Sequence, residues 1–121
     1  MIVGIGVDLV PIARAAALLA RHGDRFLARC FGPGEVTRPD DASHVAGLLA
    51  AKEAAFKALG TGWGEGVGWR DVVVAKNAAG APLLALGGAA AARAGGLGVV
   101  RTHLSIAHAG GLAVAVVILD A

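Results

Sequence analysis

The chain has a single cysteine, no tyrosine, and only three Phe and two Trp among its 121 residues. Cys30 alone excludes an internal disulfide framework and any cluster of cysteine metal ligands, and it fits a reducing cytosol. So few aromatics leave no stacking platform for single-stranded nucleic acid. Eleven Lys plus Arg against nine Asp plus Glu give a net charge of +2, too small to announce a nucleic acid partner. No apolar run approaches the ~20 residues that span a bilayer, because Leu112 to Leu119 is short and the stretch near Ala89 is broken by Arg93 and glycines, so no membrane partner is expected. Met1 leads straight into an apolar segment without a basic leader or a small-residue cleavage site, and the expected location is therefore cytoplasmic. What the chain does have is small residues, 28 Ala and 19 Gly, so its 56% hydrophobic content is largely alanine. The length suits one compact domain, residues 1–121, with no room for a second.

In MIVGIGVDLV the residues Val3, Ile5, Val7 and Leu9 fall on one face of a strand, with Gly4, Gly6 and Asp8 on the other. Pro11 to His22 reads as a helix stopped by Gly23, with Asp24 able to cap a second short turn. Residues 31–43 read as a loop. A long central helix is expected from His44 to Leu59, capped by Ser43 and ended by Gly60. Gly60 to Gly68 is five-ninths glycine and reads as a shaped loop. Trp69 to Lys76 and Pro82 to Leu86 look like strands around an Asn77–Gly80 turn, followed by an alanine-rich helix from Gly87 to Gly96. Thr102 to Ala109 and Leu112 to Leu119 flank Gly110-Gly111 as a hairpin. This order predicts an α+β fold with an antiparallel sheet packed on the long central helix, because it lacks the alternation of a parallel βαβ series.

Asp8 is a carboxylate within an apolar strand, which is costly without a partner. It reads either as a ligand for a hard cation or as the cap of the following helix. On the central helix, Glu53 and Lys57 lie about 40° apart on one face, and Lys52 interrupts the apolar stripe. The bland alternative is a surface ion pair with Lys52 snorkelling to water. The glycine loop offers backbone N–H groups to a phosphate, with Lys57 just upstream, or is simply a connection. Ser105 and His108 fall on opposite faces of a strict strand, which argues against a Ser-His dyad. Arg14, Arg21 and Arg25 lie within about 40° of one another on a continuous helix, either as a solvated face or as a dock for an acidic protein.

Taken together, MIVGIGVDLV, LLAAKEAAFKALGTGWGEGVGWRDVVV and THLSIAHAGGLAVAVVIL resemble holo-acyl-carrier-protein synthase, the small bacterial 4′-phosphopantetheinyl transferase, nearly end to end. The most specific part is Lys52-Glu53-Ala54 with Lys57 and Gly60-Thr61-Gly62, following the strand that ends at Asp8. The resemblance implies the 4′-phosphopantetheinyl transferase fold, a homotrimer with active sites at subunit boundaries, coenzyme A as donor and apo-acyl carrier protein as acceptor in fatty acid biosynthesis. It implies Mg2+ on Asp8 and Glu53, with Glu53 and Lys57 catalytic. Lys52, Lys57, Gly60, Gly62, Ser105 and His108 would contact coenzyme A, and Arg14, Arg21 and Arg25 the carrier protein. The chain departs from the family in having Leu48 where an Arg is common, and Ala107 and Ala109 where polar residues flank the histidine. Two rival readings share the fold: a transferase for polyketide or peptide carrier domains, and a trimeric binding protein without turnover.

Overall fold

The computed structural model describes residues 1–61 and 66–121. A strand, β1 (Ile2–Pro11), leads into α1 (Ile12–Cys30) and then, after a connection, into α2 (Ala42–Leu59). A 3-10 turn (Trp69–Asp71) precedes the hairpin β2 (Val72–Lys76) and β3 (Pro82–Leu86), followed by α3 (Gly88–Gly96) and the hairpin β4 (Arg101–Ala109) and β5 (Leu112–Asp120). The main sheet is antiparallel in the order β1-β5-β4, and β2 pairs with β3 separately.

The core is built around α2. Alanine on nearly every side lets neighbours approach its backbone closely, and a helix apolar all round has to be enclosed. Val45 to Lys52 is buried without interruption, and Glu53 and Lys57 provide the charged breaks in the enclosure further along. The sheet packs against it through the glycine side of β1. A methyl group on Gly6 would overlap the Ala54 carbonyl oxygen and lie 2.7 Å from the Ala58 nitrogen. Gly4 fits against the Ala58 carbonyl in the same way. The empty face seen in the sequence is thus the inner face, filled by helix backbone. The aliphatic face points away from α2, leaving Ile5 63%, Val7 52% and Leu9 58% exposed. They stand beside Ile118, Val116 and Val114 of β5.

Several local expectations change. The cap of α2 is Asp41, whose side chain accepts from the His44 amide at 3.2 Å, so the helix starts ahead of the expected Ser43. Asp8 caps nothing: Pro11 occupies the start of α1 without a side-chain cap bond. Residues Trp69 to Asp71 form a 3-10 turn before the strand begins, tied by the Asp71 carboxylate to the Gly68 amide at 2.9 Å. At Gly23 the backbone leaves helical geometry (φ 47°, ψ −121°), and helix then resumes to Cys30, longer than the single turn expected. Gly110 and Gly111 close the last hairpin, both at positive φ (59° and 77°), as a two-residue turn with primed geometry requires.

Candidate active site

Strand β1 and helix α2 bring Asp8, Glu53 and Lys57 together. Lys57 Nζ donates to Asp8 Oδ1 at 2.8 Å and to the Val7 carbonyl at 3.1 Å, so the ammonium is fixed against the strand. Arg14, near the start of α1, places Nη2 3.6 Å from Glu53 Oε1. The Glu53 carboxyl is pushed up to about 7, chiefly by burial and then by hydrogen bonding to Asp8 and its charge, while Arg14 and Lys57 pull the other way. With both carboxyls ionised, Asp8 Oδ2 is buried and has no donor among the described residues. Two crowded carboxyls with an orphaned oxygen call for a shared proton or a cation.

The donor set fits Mg2+. This ion takes one or two protein carboxylates and fills its remaining positions with water and substrate phosphate. Lys57 engages only Oδ1 of Asp8, which leaves Oδ2 and the Glu53 carboxyl for the metal. No group of three or more His, Cys, Asp or Glu side chains with metal-binding geometry occurs among the described residues, so the protein would supply only part of the coordination shell.

Lys52 belongs elsewhere, which corrects both the phosphate-contact and the snorkelling readings. It is fully buried, pairs with Glu35 Oε2 at 3.0 Å, and donates to the carbonyls of Trp69 (2.9 Å) and Val72. Helix geometry showed it interrupting the apolar stripe but could not show its partner, because Glu35 lies in the turn-rich connection. The signal that could have found Glu35 was a lone acid in FGPGEV opposite a lysine in need of a counter-charge.

Gly60 ends α2 in the left-handed conformation (φ 76°). Arg93 of α3 donates from Nε to the Leu59 carbonyl at 3.0 Å and so braces the same helix end. Gly62 and the centre of the glycine loop lie outside the described residues. Ser105 and His108 do occupy opposite faces of β4. Ser105 stands beside Val116 on the outward aliphatic face, whereas His108 stands beside Ala113, with Nε2 2.9 Å from the Ser43 carbonyl. Asp8 sits on one edge strand of the sheet and His108 on the other, with α2 packed across the face they share, so one chain does not bring them together.

On the His108 side a cavity of about 850 Å3 opens between the 31–41 connection, α2 and β2. Arg38, His44, Lys76 and His108 supply basic groups to its lining, with Leu48 and Ile106 among its apolar residues. Leu48 is therefore part of a cavity wall. His44 Nε2 is buried and has no partner among the described residues; burial and the nearby Arg38 charge hold its pKa below the ordinary value. Sequence reading singled out none of Arg38, His44 or Lys76. A second groove of about 450 Å3 lies between α1 and α2, lined by Arg14, Arg25 and Arg29 over Leu18, Phe26 and Trp69. Arg21 is exposed on the same helix outside that groove.

Comparison with known proteins identifies the family. Residues 4–117 match the model of the 4′-phosphopantetheinyl transferase superfamily. The chain is 52% identical to a holo-[acyl-carrier-protein] synthase of Nitratidesulfovibrio vulgaris, over 99% of each chain. Its fold matches crystal structures of the synthases of Helicobacter pylori, in complex with coenzyme A (TM-score 0.86, 35% identity, 96% of this chain and 99% of that one), and Neisseria meningitidis (TM-score 0.88, 31% identity, 100% of each). With its α+β architecture and near end-to-end identity to these enzymes, the chain belongs to the 4′-phosphopantetheinyl transferase superfamily, among the holo-[acyl-carrier-protein] synthases.

Proposed function

We propose that the chain uses Mg2+ to move the 4′-phosphopantetheine group of coenzyme A onto a serine of an apo-acyl carrier protein, releasing 3′,5′-ADP, in the cytoplasmic synthesis of fatty acids. The observation that carries the metal and site assignment is the pair of carboxyls, Asp8 and Glu53, crowded beside Lys57 with one buried oxygen unsatisfied. Bound there, Mg2+ supplies charge neutralisation for the pyrophosphate, the main demand of phosphoryl transfer. Glu53, ionised beside the metal, accepts the serine hydroxyl proton, directly or through a water, as the oxygen attacks phosphorus. The bond to the departing 3′,5′-ADP breaks as the new ester bond forms. Lys57, anchored by the Val7 carbonyl, presents its ammonium to a phosphate oxygen beside the carboxyls. Mass spectrometry of apo-carrier protein incubated with the protein, coenzyme A and Mg2+ tests this, with conversion to the holo form expected. Absence of the added group on any apo-carrier would favour the binding-protein reading, and modification of only polyketide or peptide carriers the other rival.

The large cavity suits coenzyme A itself, with Lys76 and Arg38, the latter paired with Asp41, for its phosphates and an apolar wall for its adenine. It opens on the far side of α2 from Asp8, so a neighbouring subunit would complete each site. The exposed row Ile5, Val7, Leu9 with Leu112 and Val116 supplies an apolar face for such a homotrimer, because a small alanine-rich domain gains by burying it. Light scattering of the wild type is expected to give a trimer, and Val7→Glu with Val116→Glu is expected to shift it to monomer with loss of activity. A fully active wild-type monomer at micromolar concentration would refute the assembly.

Arg14 and Arg25 rim the second groove, next to Glu53, and Arg21 extends the basic surface along α1. An acidic carrier helix docking there would deliver its serine toward Asp8 and Glu53. Arg14→Glu with Arg21→Glu is expected to raise the carrier KM by about tenfold or more at low salt, with the coenzyme A KM little changed. An unchanged carrier KM would return these arginines to the role of a solvated face.

A further inference from the structure

The wall of the large cavity contains a buried ion pair that the chemistry at Asp8 and Glu53 does not use. Glu35 and Lys52 side chains are 1% and 0% exposed. Glu35 Oε1 accepts the Gly32 amide at 3.0 Å, and Oε2 accepts the Val74 amide at 2.7 Å together with Lys52 Nζ at 3.0 Å. Gly32, like Glu35 itself, belongs to the 31–41 connection and Val74 to β2, two segments that both line the cavity. Lys52 adds the carbonyls of Trp69 and Val72, and its ammonium lies 5.1 Å from the centre of the Phe31 ring. One carboxylate therefore ties both walls to each other and, through Lys52, to α2.

Stability alone does not explain the pair. Replacing a buried ion pair by apolar side chains of similar volume is commonly neutral or favourable. What an apolar pair cannot do is accept one amide from each wall. The connection also carries Arg38 and the strand also carries Lys76, so the tie sets how far apart those cations stand.

We propose that Glu35, held by Lys52, is a positioning residue for the phosphate-bearing donor, fixing the wall that carries Arg38 against the wall that carries Lys76. This rests on the reading that coenzyme A occupies this cavity. In Glu35→Gln one oxygen becomes an amide nitrogen that faces a donor and Lys52 loses its counter-charge, so the tie between the walls is weakened while side-chain volume is kept.

Calorimetric titration of coenzyme A and steady-state kinetics, performed on folded protein well below its melting temperature, test the proposal. Glu35→Gln is expected to raise both the Kd and the KM for coenzyme A by about tenfold, while the carrier KM and the kcat at saturating donor stay within about twofold. A variant that melts lower but binds coenzyme A as the wild type does would make Glu35 merely structural and overturn the proposal. Arg38→Glu, at an exposed position of the same wall, separates the two ideas. If it leaves coenzyme A binding unchanged, the donor lies elsewhere and the site reading itself fails. If it weakens binding and Glu35→Gln does not, only the positioning role fails. Should Glu35→Gln not fold, hydrogen exchange on the wild type decides: the Gly32 and Val74 amides are expected to exchange several-fold more slowly with saturating coenzyme A, and unchanged exchange overturns the proposal.

Discussion

Asp8→Asn and Glu53→Gln are each expected to lower phosphopantetheine transfer on the order of a thousandfold while leaving the fold intact. Both substitutions keep the shape of the side chain and remove one of the two carboxylates that face each other beside Lys57. The fold has little reason to suffer. Burial and the proximity of Asp8 already hold Glu53 up to about 7, and Asp8 Oδ2 already lacks a donor, so in the metal-free protein these charges cost more than an ordinary surface pair would. Asp8→Asn also gives up the ion pair with Lys57, which is more than half exposed and worth little by itself. Thermal midpoints within a few degrees of the wild type, far-UV spectra that superimpose and near-zero turnover in metal-defined buffer are the expected combination. Near-normal turnover in both variants would sink the assignment of the site.

Gly6→Ala is expected to cost about 3 kcal/mol or more, since its methyl would make the closest contact of any added at a glycine among the described residues. The added carbon would overlap the Ala54 carbonyl oxygen and approach the Ala58 nitrogen, both helix backbone, which cannot rotate aside as a side chain would. Relief requires β1 to lift from α2. That motion pulls Asp8, two residues along the strand, away from Glu53 and Lys57, so transfer should fall together with stability. Gly32→Ala is the matching control, because a methyl there meets nothing within 4 Å and the backbone is not in the left-handed region. It is expected to stay within about 0.5 kcal/mol of the wild type. Equal denaturation midpoints for the two variants would refute the interlock of strand and helix.

The same glycines show what the sequence could and could not convey. Period-two patterning revealed that β1 has an aliphatic side and an empty side, and the usual rule would bury the aliphatic one. The structure buries the empty one, since α2 is so rich in alanine that its backbone itself fills the space above Gly4 and Gly6. Patterning describes one element at a time and does not record how closely the next one comes. Asp8, Glu53 and Lys57 were readable because an ionised group in an apolar strand and an acid-base pair at helical spacing are each unusual locally. Glu35 was not, because its meaning comes from Lys52 on α2 and from amides on two other segments. Lys52 gave half the clue: a lysine inside an apolar stripe needs an acceptor, but the helix cannot say which one. The cavity with Arg38, His44 and Lys76 escaped notice for a related reason, since those residues come from three separate segments and form no motif.

The central strand of the main sheet is also the last strand in chain order. β5 lies between β1 and β4, so Ile2 pairs with Asp120 and Val7 with Val116 across nearly the whole chain. A growing chain therefore has no partner for its first strand until β5 has emerged, and α2 lacks much of its inner cover until then. Contacts of such long sequence separation close long loops before they repay any entropy, and topology of this kind slows folding. During that wait the backbone edge of β1 that β5 will cover is unpaired and open to another strand.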